Sequence, residues 1–163
     1  MANENTILEN LTPDELASRC AETMYESDWA AQALGMKILE VREGYAKLSM
    51  LVRKDMSNGH AICHGGMIFT LADTAFAYSC NSYNKVTVAA GCNIEFVAPG
   101  KLGDTLIAEA KKVSLTGRSG IYDVTISDSS GQTIAHFRGK SRQIKGEIIT
   151  TETDSDTRTT SEQ

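Results

Sequence analysis

Two histidines, a glycine pair and a single carboxylate fall within sixteen residues of each other, in Asn58-Gly59-His60-Ala61-Ile62-Cys63-His64-Gly65-Gly66 and the apolar run behind it that carries Asp73. From Gly66 to Tyr78 there is no proline and no basic residue. Met67, Ile68, Phe69, Leu71, Ala72, Ala75, Phe76 and Tyr78 cover nearly the whole circumference of a helix, so the pattern predicts a buried one. A carboxylate on such a helix is costly unless it is paired, hydrogen-bonded or facing a wet cleft, and this singles out Asp73. His64-Gly65-Gly66 falls where the helix begins. Glycines there leave backbone N–H groups unshielded at the positive end of the helix dipole, a ready site for a polarised carbonyl or an anion.

Gly65 and Asp73 are eight residues apart, about 12 Å along a helix axis, too far for both to act on one carbonyl. If they share a substrate, they come from two subunits whose helices run antiparallel across a two-fold axis. Competing readings attach to the neighbours. Asn58-Gly59 is an ordinary turn dipeptide, His64 is equally a structural residue of the helix start, and His60 lies outside the reaction centre. Thiol catalysis by Cys63 with His64 is disfavoured, because sequence neighbours point apart and no third group orients them. His60 and His64 have metal-ligand spacing only on a helix, which the flanking glycines oppose, so no metal is expected.

The elements that must position these residues are legible from periodicity. Thr12-Pro13-Asp14-Glu15 is a helix start with a capping box, and helical spacing then extends over about 12–34, a second piece beginning after Asp28 and stopping at Gly35. Met36–Val41 and Tyr45–Val52 read as a hairpin whose buried face is Ala46, Leu48, Met50 and Val52. After the central helix, strand-like runs cover Val86–Phe96, Thr105–Leu115, Gly120–Ser127 and Gln132–Ile144, with breakers that suit successive antiparallel pairing. Ala89, Gly91 and Asn93 share one face of the first of these. The pattern is α+β, six strands curled around one helix, in a single domain over 1–146. From Glu147 the chain is Thr, Glu, Asp and Ser, and 147–163 is expected to be a disordered polar tail.

Asn58-Gly59-His60, His64-Gly65-Gly66 and Leu71-Ala72-Asp73-Thr74-Ala75-Phe76-Ala77 resemble the signature of the hotdog-fold acyl-CoA thioesterases of the phenylacetic acid degradation type. The likeness continues through Ala98-Pro99-Gly100, Gly103-Asp104-Thr105-Leu106, Gly120-Ile121-Tyr122-Asp123 and Phe137-Arg138-Gly139-Lys140-Ser141. The resemblance implies a curved antiparallel sheet wrapped around a long central helix, and hydrolysis of acyl-CoA thioesters, with arylacetyl or hydroxyphenylacetyl groups as candidates. It implies that the Gly65 N–H polarises the thioester carbonyl and that Asp73 of the partner is general base or nucleophile. Asn58 would orient the water or the acid, and His64 would fix the loop or hydrogen-bond near the carbonyl. Relatives often carry a hydroxyl on the strand after the helix, which Ala89 and Gly91 cannot supply.

Coenzyme A is then part of the substrate and no separate cofactor is expected. Its phosphates want basic residues at the pocket mouth, for which Arg118, Arg138 and Lys140 are the candidates. The resemblance further implies a homodimer at minimum, built into a homotetramer. A net charge of −5 argues against nonspecific nucleic-acid binding. Four scattered cysteines, no leader-like segment and no membrane-length apolar run point to free thiols and the cytoplasm. The rival from another class is a non-catalytic acyl-CoA-binding regulator on the same fold. It usually carries a DNA-binding domain, for which the N-terminal segment is too short.

Overall fold

The computed structural model describes residue 8 and residues 10–150. Helix α1 spans Pro13–Ser27. Thr12 caps it, with Glu15 N donating to Thr12 Oγ1 at 3.3 Å and Thr12 N donating to Glu15 Oε2 at 2.7 Å, so the capping box forms as expected. Asp28 breaks the helix and caps the next, α2 over Trp29–Ala33, by accepting from Ala31 N at 3.0 Å. The hairpin follows as β1 (Lys37–Arg42) and β2 (Tyr45–Leu51), turning at Gly44 with φ +70°. Ala46, Leu48, Met50 and Val52 are all buried, which is the even face expected.

Helix α3 (Gly65–Cys80) then leads to β3 (Thr87–Phe96), β4 (Thr105–Thr116), β5 (Ser119–Ser127) and β6 (Thr133–Gln143). The six strands form one sheet in the order β1-β2-β4-β5-β6-β3, every neighbouring pair antiparallel. Successive pairing therefore fails at one place: β3 does not join β4. The chain crosses with α3 to the far edge of the sheet, where Ile94 pairs with Phe137 of β6, while β4 returns to β2 with Leu48 opposite Ala108.

α3 touches all six strands, as a sheet curled about a helix requires. Phe76 anchors it, with ring centroids 5.7 Å from Tyr122 and 5.9 Å from Phe137. Gly139 lies under this ring; a Cβ there would sit 2.8 Å from three of its atoms, so β6 admits only glycine at that point. The helix is not buried all round, however. Ile68, Leu71, Ala72, Ala75, Phe76 and Tyr78 are buried, whereas Gly66, Thr70, Asp73, Thr74 and Ala77 form a partly exposed stripe at helical spacing. The packed chain also runs past residue 146, since Glu147 pairs with Lys85 and Ile149 N donates to Asn84 Oδ1 at 2.8 Å. The rest of the expected tail, 151–163, lies outside the described residues.

Candidate active site

The segment before α3 is held by its own hydrogen bonds. Asn58 N donates to Ile62 O at 2.9 Å, and Asn58 Oδ1 accepts from His60 N at 2.9 Å. The turn reading of Asn58-Gly59 is thus correct for the side-chain oxygen. Ala61 takes φ +58°, a left-handed conformation that costs a non-glycine residue about 1 kcal/mol. His64 N donates to Met56 O at 2.8 Å, which sets the angle at which the chain enters the helix.

His64 is the N-cap. Its Nδ1 accepts from Gly66 N at 2.9 Å, and its carbonyl accepts from Met67 N at 2.9 Å. Through Nδ1 the ring fixes the helix start, one of the two roles expected of His64. The consequence falls on Gly65. The first N–H groups of a helix have no intrahelical partner. Those of Gly66 and Met67 are taken by His64, while the Gly65 N–H has no partner among the described residues. It opens on a cleft of about 350 Å³ lined by Asn58, Ile62, Gly65, Ile68, Phe96 and Pro99. A Cβ on Gly65 would come 3.1 Å from the tip of the Phe96 ring, so glycine keeps the amide approachable.

Asp73 lies two turns further on, on the exposed stripe, and does not line this cleft. Half-burial pushes its carboxyl above the ordinary aspartate value, and a Cys92 thiol donating to Oδ1 at 3.9 Å pulls partly the other way. A carboxylate raised toward neutrality is a stronger base than a solvated one.

Cys92 was not among the expected site residues, and the reason is a bulge. Ala89 pairs with Ser141 and Gly91 with Lys140, so one extra residue is inserted in β3 and the alternation shifts by one. Ala89 therefore lies on the face of Cys92 and Ile94, opposite Gly91 and Asn93. Ile94 packs on the core, and a Cβ on Gly91 would meet nothing within 4 Å. A glycine inside a strand pattern was the available signal.

The three basic candidates are not gathered at the cleft. Arg138 is half-exposed and pairs with Asp123, with Nε donating to Oδ1 and Nη2 to Oδ2, both at 2.6 Å. Lys140 lines a cavity of about 410 Å³ with Arg142, Ser114, Thr116 and Ser119. Arg118 lines another, of about 270 Å³, with Cys80 from the far end of α3. Cys63 is buried and burial raises its thiol, so it is not an activated nucleophile. All four cysteines are free. Among the described residues no group of three or more His, Cys, Asp or Glu side chains is placed to hold a metal, and no helix is long and apolar enough to cross a membrane.

Residues 60–135 match the model of the Thioesterase superfamily. The sequence is 48% identical over 128 residues to the acyl-coenzyme A thioesterase PaaI of Escherichia coli (strain K12), covering 78% of this chain and 91% of that protein. The structure resembles that of the E. coli PaaI protein from the phenylacetic acid degradation operon, with a TM-score of 0.82 over 83% of this chain and 99% of the other at 46% identity. It also resembles the Streptococcus mutans UA159 protein smu.793 bound to acetyl CoA, with a TM-score of 0.65 over 69% of this chain and 90% of that one at 25% identity.

Proposed function

We propose that this chain, which belongs to the thioesterase superfamily and has its hotdog fold, hydrolyses the thioester bond of an acyl-CoA at a site shared by two protomers. The acyl group is of the arylacetyl class, phenylacetyl or hydroxyphenylacetyl, a reading supported by the 48% identity to PaaI. One observation carries it above the others. A helix-start N–H without a partner among the described residues belongs to a glycine that lines a cleft, and a half-buried carboxylate stands two turns away on the partly exposed stripe of the same helix. Antiparallel apposition of two such stripes brings the amide of one protomer to the acid of the other, twice.

In this reading the Gly65 N–H receives the thioester oxygen and stabilises the negative charge that grows on it during attack. Asp73 of the partner takes a proton from water as the oxygen bonds to the acyl carbon. The tetrahedral intermediate then collapses, the carbon–sulfur bond breaks, and the departing thiolate is protonated. Alternatively Asp73 attacks the carbon itself and water hydrolyses the resulting anhydride. Asn58, on the wall of the cleft, orients the water or the acid with its amide nitrogen, since its oxygen belongs to the turn. His64 acts through the helix start it caps. For the phosphates of coenzyme A the best-supported candidate is Lys140, beside Arg142 in a cavity rimmed with hydroxyls. The assembly is a homodimer, paired again into a tetramer, and its setting is the cytoplasm.

The test is steady-state hydrolysis over an acyl-CoA panel for wild type and Asp73→Asn. The reading requires turnover by wild type, with arylacetyl-CoAs preferred, and loss of kcat in the variant. An acyl-CoA-binding regulator would bind the same ligands without turning them over.

A further inference from the structure

The cavity at the C-terminal end of α3 is separate from the Gly65 cleft and carries chemistry the reaction does not use. Cys80, Leu115 and the ring of Tyr122 give it apolar walls, and Tyr83, Arg118 and Ser141 give it polar ones. Ser141 is 2% exposed, yet its hydroxyl has no hydrogen-bond partner among the described residues. A buried hydroxyl left unsatisfied is costly, so this one needs an explanation. Gly120 keeps the Ser141 hydroxyl uncovered: a Cβ at that position would lie 2.7 Å from Ser141 Oγ and 2.7 Å from the Tyr122 ring. Arg118 makes no ion pair among the described residues, while Lys85, on the same wall, already pairs with Glu147.

We infer that this cavity binds a small organic acid, its carboxylate held by the Arg118 guanidinium and the Ser141 hydroxyl and its apolar body laid against Tyr122 and Leu115. The guanidinium and the Ser141 hydroxyl are both free to donate, which suits an acceptor-only group. At about 270 Å³ the space falls below the roughly 300–1,000 Å³ of sites for drug-sized ligands, so it fits a single ring or a short branched chain and excludes a nucleotide. A carboxylate is favoured over inorganic phosphate because most of the wall is apolar. The inference concerns binding alone and does not depend on the proposed hydrolysis, although the acid released by that reaction belongs to the same class.

Titration calorimetry on the full chain tests this with phenylacetate, phenylacetamide and inorganic phosphate. Phenylacetate should bind, and the uncharged amide should bind at least roughly tenfold more weakly, the value of one charge-assisted contact. Arg118→Met should weaken phenylacetate by a similar factor and Ser141→Ala by severalfold, whereas Asp73→Asn should leave it unchanged. Ser141→Ala should also melt no lower than wild type, since it removes an unsatisfied group, and this checks that the variant folds. Unaltered binding in both Arg118→Met and Ser141→Ala overturns the inference. So does loss of binding in Asp73→Asn, which would place the acid in the catalytic cleft, or a preference for phosphate.

Discussion

Asp73 is raised by burial and lowered by the Cys92 thiol, so its titration should appear in the rate. The proposed reaction requires the carboxylate, so the acid limb of kcat/KM should lie above the ordinary aspartate range, with rate lost as pH falls through it. Cys92→Ala removes the lowering contact and should move that limb to higher pH, while Cys92→Ser, a stronger donor, should restore it or move it lower. A limb that stays put in both variants would show that the thiol does not touch the acid in the working enzyme. Asp73→Asn should lower kcat by roughly 10²–10⁴-fold. Its folded-state pKa is raised, so the ionised form is disfavoured in the native state and its stability contribution falls as pH rises through that window. At neutral pH the asparagine variant should therefore melt no lower than wild type, separating a catalytic loss from an unfolding one.

At the scale of the elements, the helix start determines what Gly65 can do. His64→Ala removes the acceptor for Gly66 N and should cost about 1 kcal/mol of stability, with kcat falling only as far as the helix start frays. His64→Asn, a good cap, should recover most of both, an outcome that a ring acting on the substrate would not allow. Gly65→Pro deletes the one free N–H at a position where proline is accommodated, since His64 has φ −62° and ψ 133°, suitable for a residue preceding proline. It should lower kcat by roughly 10²–10³-fold with a smaller change in KM. These elements were legible because the signals are local: a capping box at Thr12, period two in β2, a glycine pair ahead of an apolar run. What escaped was non-local or sub-periodic. The displacement of β3 to the sheet edge depends on which strand β4 reaches first. The bulge at Ala89–Gly91 shifts side chains by one position and concealed Cys92 behind a two-residue alternation. The open stripe on α3 was hidden because glycine, threonine and alanine read as apolar or neutral whether or not a sheet covers them.

For the whole molecule, the proposed mechanism uses two groups of each α3 helix, the amide at its start and the acid two turns on, in two different sites. The amide borders a cleft that Asp73 does not line. The partly exposed stripe of α3 and the edge position of β3, with Val88 and Phe96 exposed, leave room for a second copy to complete it. Charged candidates for the nucleotide are spread over separate surfaces, so Lys140→Ala should raise KM for acyl-CoA several-fold and leave kcat near wild type. The most direct test of the shared site mixes two dead proteins. Asp73→Asn and Gly65→Pro, each inactive alone, are unfolded together, refolded at equal concentration and assayed. A site built across the two-fold axis gives every mixed dimer one intact amide–acid pair and one doubly damaged pair, so activity should return to about a quarter of wild type. A site contained within one chain has no intact copy in any mixture, and a mixture that stays inactive while mass measurement shows mixed dimers would contradict the account.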